Sequence, residues 1–433
     1  MIKNKRRANR RVLILLLTLL AIRVRAQVSL DTYALTDVTI IDANHPQPLP
    51  HQTVIIKGRK IAQTFVDGTT PLPDSVSVIR ASGKYLIPGL IDTHVHMATD
   101  PSDVDNRAAT LRVLERMLYS GITTVRDMAG DARILAGLSR DAWTGDILSP
   151  DIHYSALMAG PQFFTDPRTM SSTQGGVSGE MPYMRSVTPS TDMVLAIAEA
   201  KGTGASGIKL YADLSPETVQ KIVAEAKRQG LLVWGHAWLQ QAKPTDLIKA
   251  GVGSLSHAPL LLYETRDSVP AAWKHGVHPA KFWDDSIRAD KAMLELMKEH
   301  HTILDATLSA YHQWAKQDTG RRYYYEITRR LAAQAYRAGV TICAGTDNDQ
   351  EEFVQSELHL LVHDAGLSPI DALIAGTRNG AAALGIEATT GTVEVGKIAD
   401  LVVLDKNPLL DIDNVKAVFL VVKAGKIYRL PPR

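Results

Sequence analysis

The chain has 433 residues but a single cysteine, Cys343, so it can form no intrachain disulfide and no multi-cysteine zinc cluster. Any metal site must therefore be built from His, Asp, Glu or Lys. Aromatic residues are few, at 6%, and charge of neither sign dominates, with 48 basic against 46 acidic side chains. The most prominent apolar run, Val12 to Ile22, falls well short of the ~20 residues a membrane-spanning helix needs. Its 30 glycines and 21 prolines follow no period, which excludes a collagen-like chain. With 45% hydrophobic and 22% charged residues, coiled coil and wholesale disorder are excluded as well. What remains is ordinary globular composition, in a chain long enough for two average domains or one large barrel with an appendage.

The small positive balance resides at the N-terminus. Residues 1–26 hold eight basic side chains and no acid, and the run from Val12 to Ile22 is followed by the small-residue ending Val24-Arg25-Ala26. A charged start, a short apolar stretch and such an ending read as a secretory signal peptide, with export to the periplasm or the exterior. An uncleaved anchor is the alternative. Cleavage after Ala26 leaves 407 residues with 40 basic and 46 acidic side chains, a formal charge of −6. That removes the electrostatic basis for nucleic-acid binding, and no membrane span is expected after cleavage. An exported chain of this length can hold itself by core burial without disulfides.

From Tyr33 to Ile87, short β-rich runs such as Val38–Asp42 and Gln52–Gly58 are broken by Asn, Pro and Gly. The C-terminus repeats this pattern at Asp400–Asp405 and Val418–Ile427. Between about 88 and 384, apolar strand-like runs at 88–95, 122–126, 206–211, 252–257, 302–308 and 340–346 alternate with amphipathic helices. The helices are expected near 107–120, 289–300, 326–338 and 369–384, and another runs from Ser215-Pro216-Glu217 to Gly230. Repeated βα units over this length predict a (β/α)₈ TIM barrel, an α/β fold, with a small β-sandwich formed by both termini. The boundaries follow as signal peptide 1–26, sandwich 27–87, barrel 88–385 and sandwich 386–433. An open doubly wound sheet is disfavoured, because no Gly-x-Gly-x-x-Gly turn follows the first strand. Segments 158–190 and 260–285 do not fit the alternation and read as lids.

The strongest chemical signal is Pro88-Gly89-Leu90-Ile91-Asp92-Thr93-His94-Val95-His96. Residues two apart on a strand share a face, so His94 and His96 project together as a ligand pair for a borderline metal such as zinc. In Gly207-Ile208-Lys209-Leu210-Tyr211, Lys209 and Tyr211 share the face opposite Ile208 and Leu210, which puts an amine inside the barrel mouth. A buried ammonium is costly and tends to lose its proton. The neutral amine can take up carbon dioxide as a carbamate, whose two oxygens can bridge two metals. His236, His257 and Asp347 each close a further apolar run. All lie at the carboxyl ends of expected strands, the end that carries the active site of a barrel.

These motifs, with Gly-Ile-Thr-Thr-Val-Arg-Asp at 121–127, Ala-Gly-Thr-Asp at 344–347 and Gly-Lys-Ile-Ala-Asp-Leu-Val-Val-Leu-Asp at 396–405, resemble the amidohydrolase superfamily. Within it the branch containing Xaa-Pro dipeptidases and imidazolonepropionase-like proteins fits best. The resemblance implies two divalent metal ions, with Zn2+ the default. His94, His96 and Asp347 would hold the buried ion, His236 and His257 the outer one, and a carbamate on Lys209 would bridge both. Leu-Ser-His-Ala at the sixth strand departs from the Ile-Glu-His-Gly common among relatives, so side-chain preference does not carry over.

The expected activity is cleavage of an amide bond in a small-molecule substrate, a dipeptide such as Xaa-Pro or an N-acyl amino acid, by a metal-bridging hydroxide. Asp347 would accept the proton and pass it to the leaving amine. Tyr211 and His153 are candidate substrate contacts. The alternatives are a mononuclear deaminase or imidazolone-type cyclic amide hydrolase, for which Lys209 is dispensable, a lactone or phosphoester hydrolase, and a non-catalytic binding scaffold. Oligomeric state is not encoded legibly.

Overall fold

Eight parallel strands form a nearly closed barrel in the computed structural model, which describes residues 31–45, 47–98, 106–266, 287–347 and 353–429. The signal peptide expected at 1–26 and most of the 260–285 segment lie outside these residues. The strands are β1 (Leu90–Val95), β2 (Ile122–Asp127), β3 (Asp151–Ala159), β4 (Gly207–Leu210), β5 (Leu232–His236), β6 (Ser254–Ser256), β7 (Ile303–Asp305) and β8 (Ile342–Cys343). Each pairs in parallel with the next. Backbone bonds from Thr93 to the Ala344 carbonyl (3.0 Å) and from Asp347 to the His94 carbonyl (2.8 Å) join the last strand to the first.

Around the strands lie α1 (Arg107–Tyr119), α2 (Ala132–Thr144), α3 (Met193–Gly202), α4 (Pro216–Gln229), α5 (Pro244–Ala250), α6 (Lys291–Glu299), α7 (Leu308–Gln317), α8 (Arg322–Arg337) and α9 (Val354–His363). Helix α4 carries the expected boundaries. The Ser215 hydroxyl accepts from the Thr218 amide, Pro216 opens the first turn, and Gly230 ends the helix at φ 79°, which glycine adopts without steric cost. The single helix expected over 369–384 is instead two, α10 (Pro369–Ala375) and α11 (Arg378–Ala383). Thr377 between them leaves helical geometry, at φ −135° and ψ −93°. The break lets α11 lie so close to β1 that a Cβ on Gly380 would stand 3.0 Å from Ile91.

Strand alternation sorts the barrel's two faces. Ile208 and Leu210 of β4, and Val233 of β5, join the apolar layer beneath the helices, while Lys209 and Trp234 turn inward. Trp234 and Arg126 fill the barrel floor. The Arg126 guanidinium lies 4.7 Å from the Trp234 ring, and both side chains donate to the Ala383 carbonyl.

Eight further strands form a second sheet drawn from both ends of the chain. Leu401–Leu404 runs antiparallel to Tyr85–Pro88, directly before β1. Period-2 alternation gives this strand two duties. Leu401 and Val403 face the sheet's own core with Tyr33, Leu35 and Val54, and Val402 and Leu404 face the barrel. The lid expected at 158–190 is folded, with helical turns at Pro161–Thr165 and Pro167–Ser171. Its strand Met184–Ser186 pairs in parallel with the far end of β3. Among the described residues no helix is long and apolar enough to cross a membrane.

Candidate active site

At the carboxyl ends of the strands, Asp347 is flanked by imidazoles. Its Oδ1 lies 3.2 Å from His96 Nε2 and 3.6 Å from His94 Nε2, and its Oδ2 lies 3.9 Å from His257 Nδ1. His236 stands beside His257, with ring centroids 4.5 Å apart. His257 and Asp347 both have left-handed backbones, at φ 73° and 48°, which turns the chain sharply as it leaves β6 and β8. Such strain in non-glycine residues is found where the surrounding structure fixes a functional geometry.

Each ring is held by its other contacts. His94 Nδ1 lies 2.7 Å from Asp305 Oδ2, His96 Nδ1 lies 3.1 Å from the Ala129 carbonyl, and His257 Nδ1 lies 2.9 Å from the Thr307 hydroxyl. Donation of Nδ1–H to the Asp305 carboxylate fixes the tautomer of His94 and leaves its Nε2 as a lone pair for an electrophile, and the Ala129 carbonyl orients the His96 ring in the same way. Asp305 is fully buried, accepts from Ser256 at 3.0 Å and lies 3.5 Å from Arg126 Nη2.

The charges respond to burial and to one another. Burial pushes His257 down to about 3 and also lowers His94. Burial acts the same way on His96, but Asp347 outweighs it and raises the ring to about 9. Burial alone would raise Asp347, yet the three imidazoles hold its carboxyl far below the usual range. Of the three rings beside Asp347, His96 is the one held towards its charged form.

Lys209 is fully buried, and its Nζ has no hydrogen-bond partner among the described residues. Burial lowers it to about 7, helped by Arg126 and opposed by Asp305 and Asp347. Near neutral pH a large fraction is therefore free amine. His94, His257 and Asp347 offer ligand atoms within 4.8 Å of one another. An orphaned amine beside imidazoles and a carboxylate is a donor set that fits divalent metal ions.

Tyr211 stands over the site. Its ring stacks on Phe163 at 4.2 Å, lies 4.0 Å from His236, and its hydroxyl accepts from Arg168 Nη2 at 3.3 Å. Asp166 holds the Arg168 guanidinium at two points, 3.1 and 2.9 Å. On the other side Trp238 stacks on Tyr263 at 3.7 Å, and Tyr311 lies 6.2 Å from His257.

The chain's expected metal ligands, together with Tyr211, are thus brought to one place, and His153 is not. It lies near the start of β3, against Ser206 at 3.4 Å. Lys209 pairs with Leu157, four residues further along that strand, so His153 sits roughly 13 Å below the mouth at ~3.3 Å per residue. The candidate substrate contact at His153 is therefore in the wrong layer, near the start of β3 rather than at its carboxyl end. The residue missed is Asp305, which ends the apolar run Ile303-Leu304 just as His236 and Asp347 end theirs, so the same pattern marks it.

The chain matches the amidohydrolase family over residues 85–428. It belongs to that family. It is 28% identical to an ochratoxinase from Aspergillus niger, with 89% of this chain and 84% of that protein covered. The crystal structure of a putative prolidase from Bifidobacterium longum superposes with a TM-score of 0.69 at 27% identity, covering 93% of this chain and 96% of the other. A prolidase complexed with N-methylphosphonate-L-proline gives a TM-score of 0.72 at 25% identity, with 92% and 100% covered. This amidohydrolase is an enzyme that hydrolyses carbon–nitrogen bonds of the amide type.

Proposed function

We propose that this amidohydrolase is an exported, dinuclear metal-dependent enzyme that cleaves the amide bond of a dipeptide such as Xaa-Pro, or of an N-acyl amino acid. Lys209 carries the reading. A fully buried amine lowered to about 7 and without a hydrogen-bond partner among the described residues is suited to carbamate formation. The carbamate would be shared by two ions, one held by His94, His96 and Asp347 and the other by His236 and His257. Divalent ions, zinc by default, supply acidification of water and polarisation of the scissile carbonyl when bound.

The remaining work falls to the chain. Asp347, ionised by its imidazole neighbours, takes the proton of the attacking water on a carboxylate oxygen and hands it to the departing amine nitrogen. Arg168, clamped by Asp166, offers a fixed guanidinium to a substrate carboxylate. The Tyr211 hydroxyl, kept protonated by burial against the pull of Arg168, can donate to a substrate oxygen. Phe163, Trp238, Tyr263 and Tyr311 give the mouth apolar walls that exclude water. A substrate with a free carboxylate next to the cleaved amide suits this arrangement, and the prolidase complexed with a phosphonylated proline is a relative of that kind.

The test is metal content per chain, on protein purified without chelator, for the wild type and Lys209→Ala, together with hydrolysis of Xaa-Pro dipeptides and N-acyl amino acids. Two ions falling to one or fewer, with loss of hydrolysis, supports the reading. One ion in both proteins refutes the shared carbamate and moves the assignment to a mononuclear deaminase or imidazolone hydrolase.

A further inference from the structure

A second group of side chains that could hold a metal ion lies away from the barrel mouth. His359 and His363 stand one turn apart on α9, on the same face, with ring centroids 4.3 Å apart. Asp413 meets them from the turn Ile412–Lys416, which lies between the last strands of the end sheet. Its Oδ2 is 2.9 Å from His359 Nδ1, and one ligand atom from each of the three residues lies within 4.8 Å of the others. Ligand atoms around a tetrahedral zinc stand about 3.3 Å apart, given Zn–N and Zn–O distances near 2.0–2.1 Å. The three atoms therefore need to shift by about an ångström, within the reach of side-chain rotation.

Other contacts fix this arrangement. Ile412 and Val415 are buried and anchor the turn, and the Asp411 carboxylate accepts the Asp413 amide at 3.0 Å. Burial alone would raise the Asp413 carboxyl, but hydrogen bonds from Lys416 and His359 hold it below its ordinary value, as an ionised ligand. Lys416 takes the other oxygen, Oδ1, at 2.5 Å, which leaves Oδ2 towards the histidines. His363 is exposed, giving an ion access. His359 also borders a cavity of about 460 Å³ lined by Ser120, Ser356 and Lys416, with room for a water as a fourth ligand.

We propose that His359, His363 and Asp413 form a second, structural site for a borderline divalent cation such as Zn2+ or Cu2+, clipping α9 to the end sheet. Two imidazoles and one carboxylate suit such ions better than calcium or magnesium, which prefer all-oxygen sets. The site shares no residue with the barrel-mouth cluster, so it stands or falls separately from the catalytic reading. Because α9 follows β8 directly, the clip ties the element after Asp347 to the turn before the final strands.

The test adds Cu2+ to the enzyme as purified, with its resident metals in place, and follows the copper by electron paramagnetic resonance, the thermal midpoint by calorimetry and amide hydrolysis in parallel. One equivalent should bind with coupling to two nitrogens and raise the midpoint while hydrolysis is unchanged. His363→Ala, an exposed substitution that leaves the core intact, should weaken binding at least tenfold. Lys416→Met, which removes a competing positive charge, should tighten it. Equal binding in the wild type, His359→Ala and His363→Ala overturns the proposal. So does copper uptake that releases resident metal and abolishes hydrolysis in step, since that is exchange at the barrel mouth.

Discussion

Replacing Asp305 with asparagine tests whether the site is assembled by contacts behind the expected ligands as well as by those residues themselves. The carboxylate lies 2.7 Å from His94 Nδ1, accepts from Ser256 at 3.0 Å and neutralises Arg126 at 3.5 Å, with no exposure to solvent. An asparagine of the same shape can keep only part of this. His94, Ser256 and Arg126 all meet Oδ2, so an amide oxygen in its place keeps the two hydrogen bonds but not the negative charge beside Arg126; if the amide flips, His94 must change tautomer and loses the Nε2 lone pair. Leaving a buried guanidinium without its counter-charge costs about 3–5 kcal/mol, of which a shape-conserving replacement should show the lower end. In a chain of this length that corresponds to a fall of roughly 3–5 °C in thermal midpoint, at about 2.1 cal/mol/K of unfolding entropy per residue. Loss of such an orienting partner lowers metal affinity or activity by about 10–100-fold. The assay is equilibrium dialysis against buffered metal, with kcat/KM and calorimetry on the same samples. Asp305→Asn with wild-type metal affinity, midpoint and kcat/KM would refute the argument that Asp305 fixes His94.

Gly345→Ala should also disturb the site, because the new Cβ would lie 2.7 Å from His94 Cβ and closer still to Asp305 Oδ1; metal content and midpoint should both fall. Arg168→Met should raise KM for substrates with a free carboxylate about tenfold, the low end for a hydrogen bond to a charged group since the guanidinium is partly exposed, and leave C-terminal amide analogues little changed. Equal effects on both substrate series would remove Arg168 from carboxylate recognition. Glu357 supplies a pH test. Burial raises its carboxyl to about 8 although it accepts from the Leu308 and Ser309 amides, so the folded chain binds a proton that the unfolded chain releases near 4.5. Stability should therefore decline as pH rises from about 4.5 through 8, by an amount on the order of 5 kcal/mol at most. Glu357→Gln should flatten that decline in urea titrations between pH 5 and 9, and an unchanged slope would show that the group is ionised throughout.

The expected ligands were legible from two local rules, alternation along a strand and placement at its carboxyl end. His94 and Lys209 follow both, and His236, His257 and Asp347 follow the second. Asp305 follows them too, yet its role depends on facing His94 across the barrel, a relation between positions 211 residues apart that no local pattern expresses. His153 lies near the start of β3, which runs on to Ala159, so it stands far from the mouth although it shares a strand with the site. The break between α10 and α11 lets Gly380 pack against Ile91, an approach that helical periodicity does not register. The lid's strand at Met184–Ser186 has backbone partners on β3, and its own composition of Met, Arg and Ser gives no strand pattern.

The pairing of Leu401–Leu404 with Tyr85–Pro88, and the bond from the Tyr33 hydroxyl to the Gly425 carbonyl at 3.1 Å, set an order of events in the making of the protein. Strands from the first hundred residues wait for partners that are synthesised much later. Until then Tyr85–Pro88 presents an open edge immediately before the strand that bears His94 and His96. Such edges invite pairing with other chains, and long-range closures are slow. A chain interrupted before Leu401 thus lacks more than a peripheral strand: it keeps all of its expected metal ligands but loses the brace at the root of the strand that carries two of them.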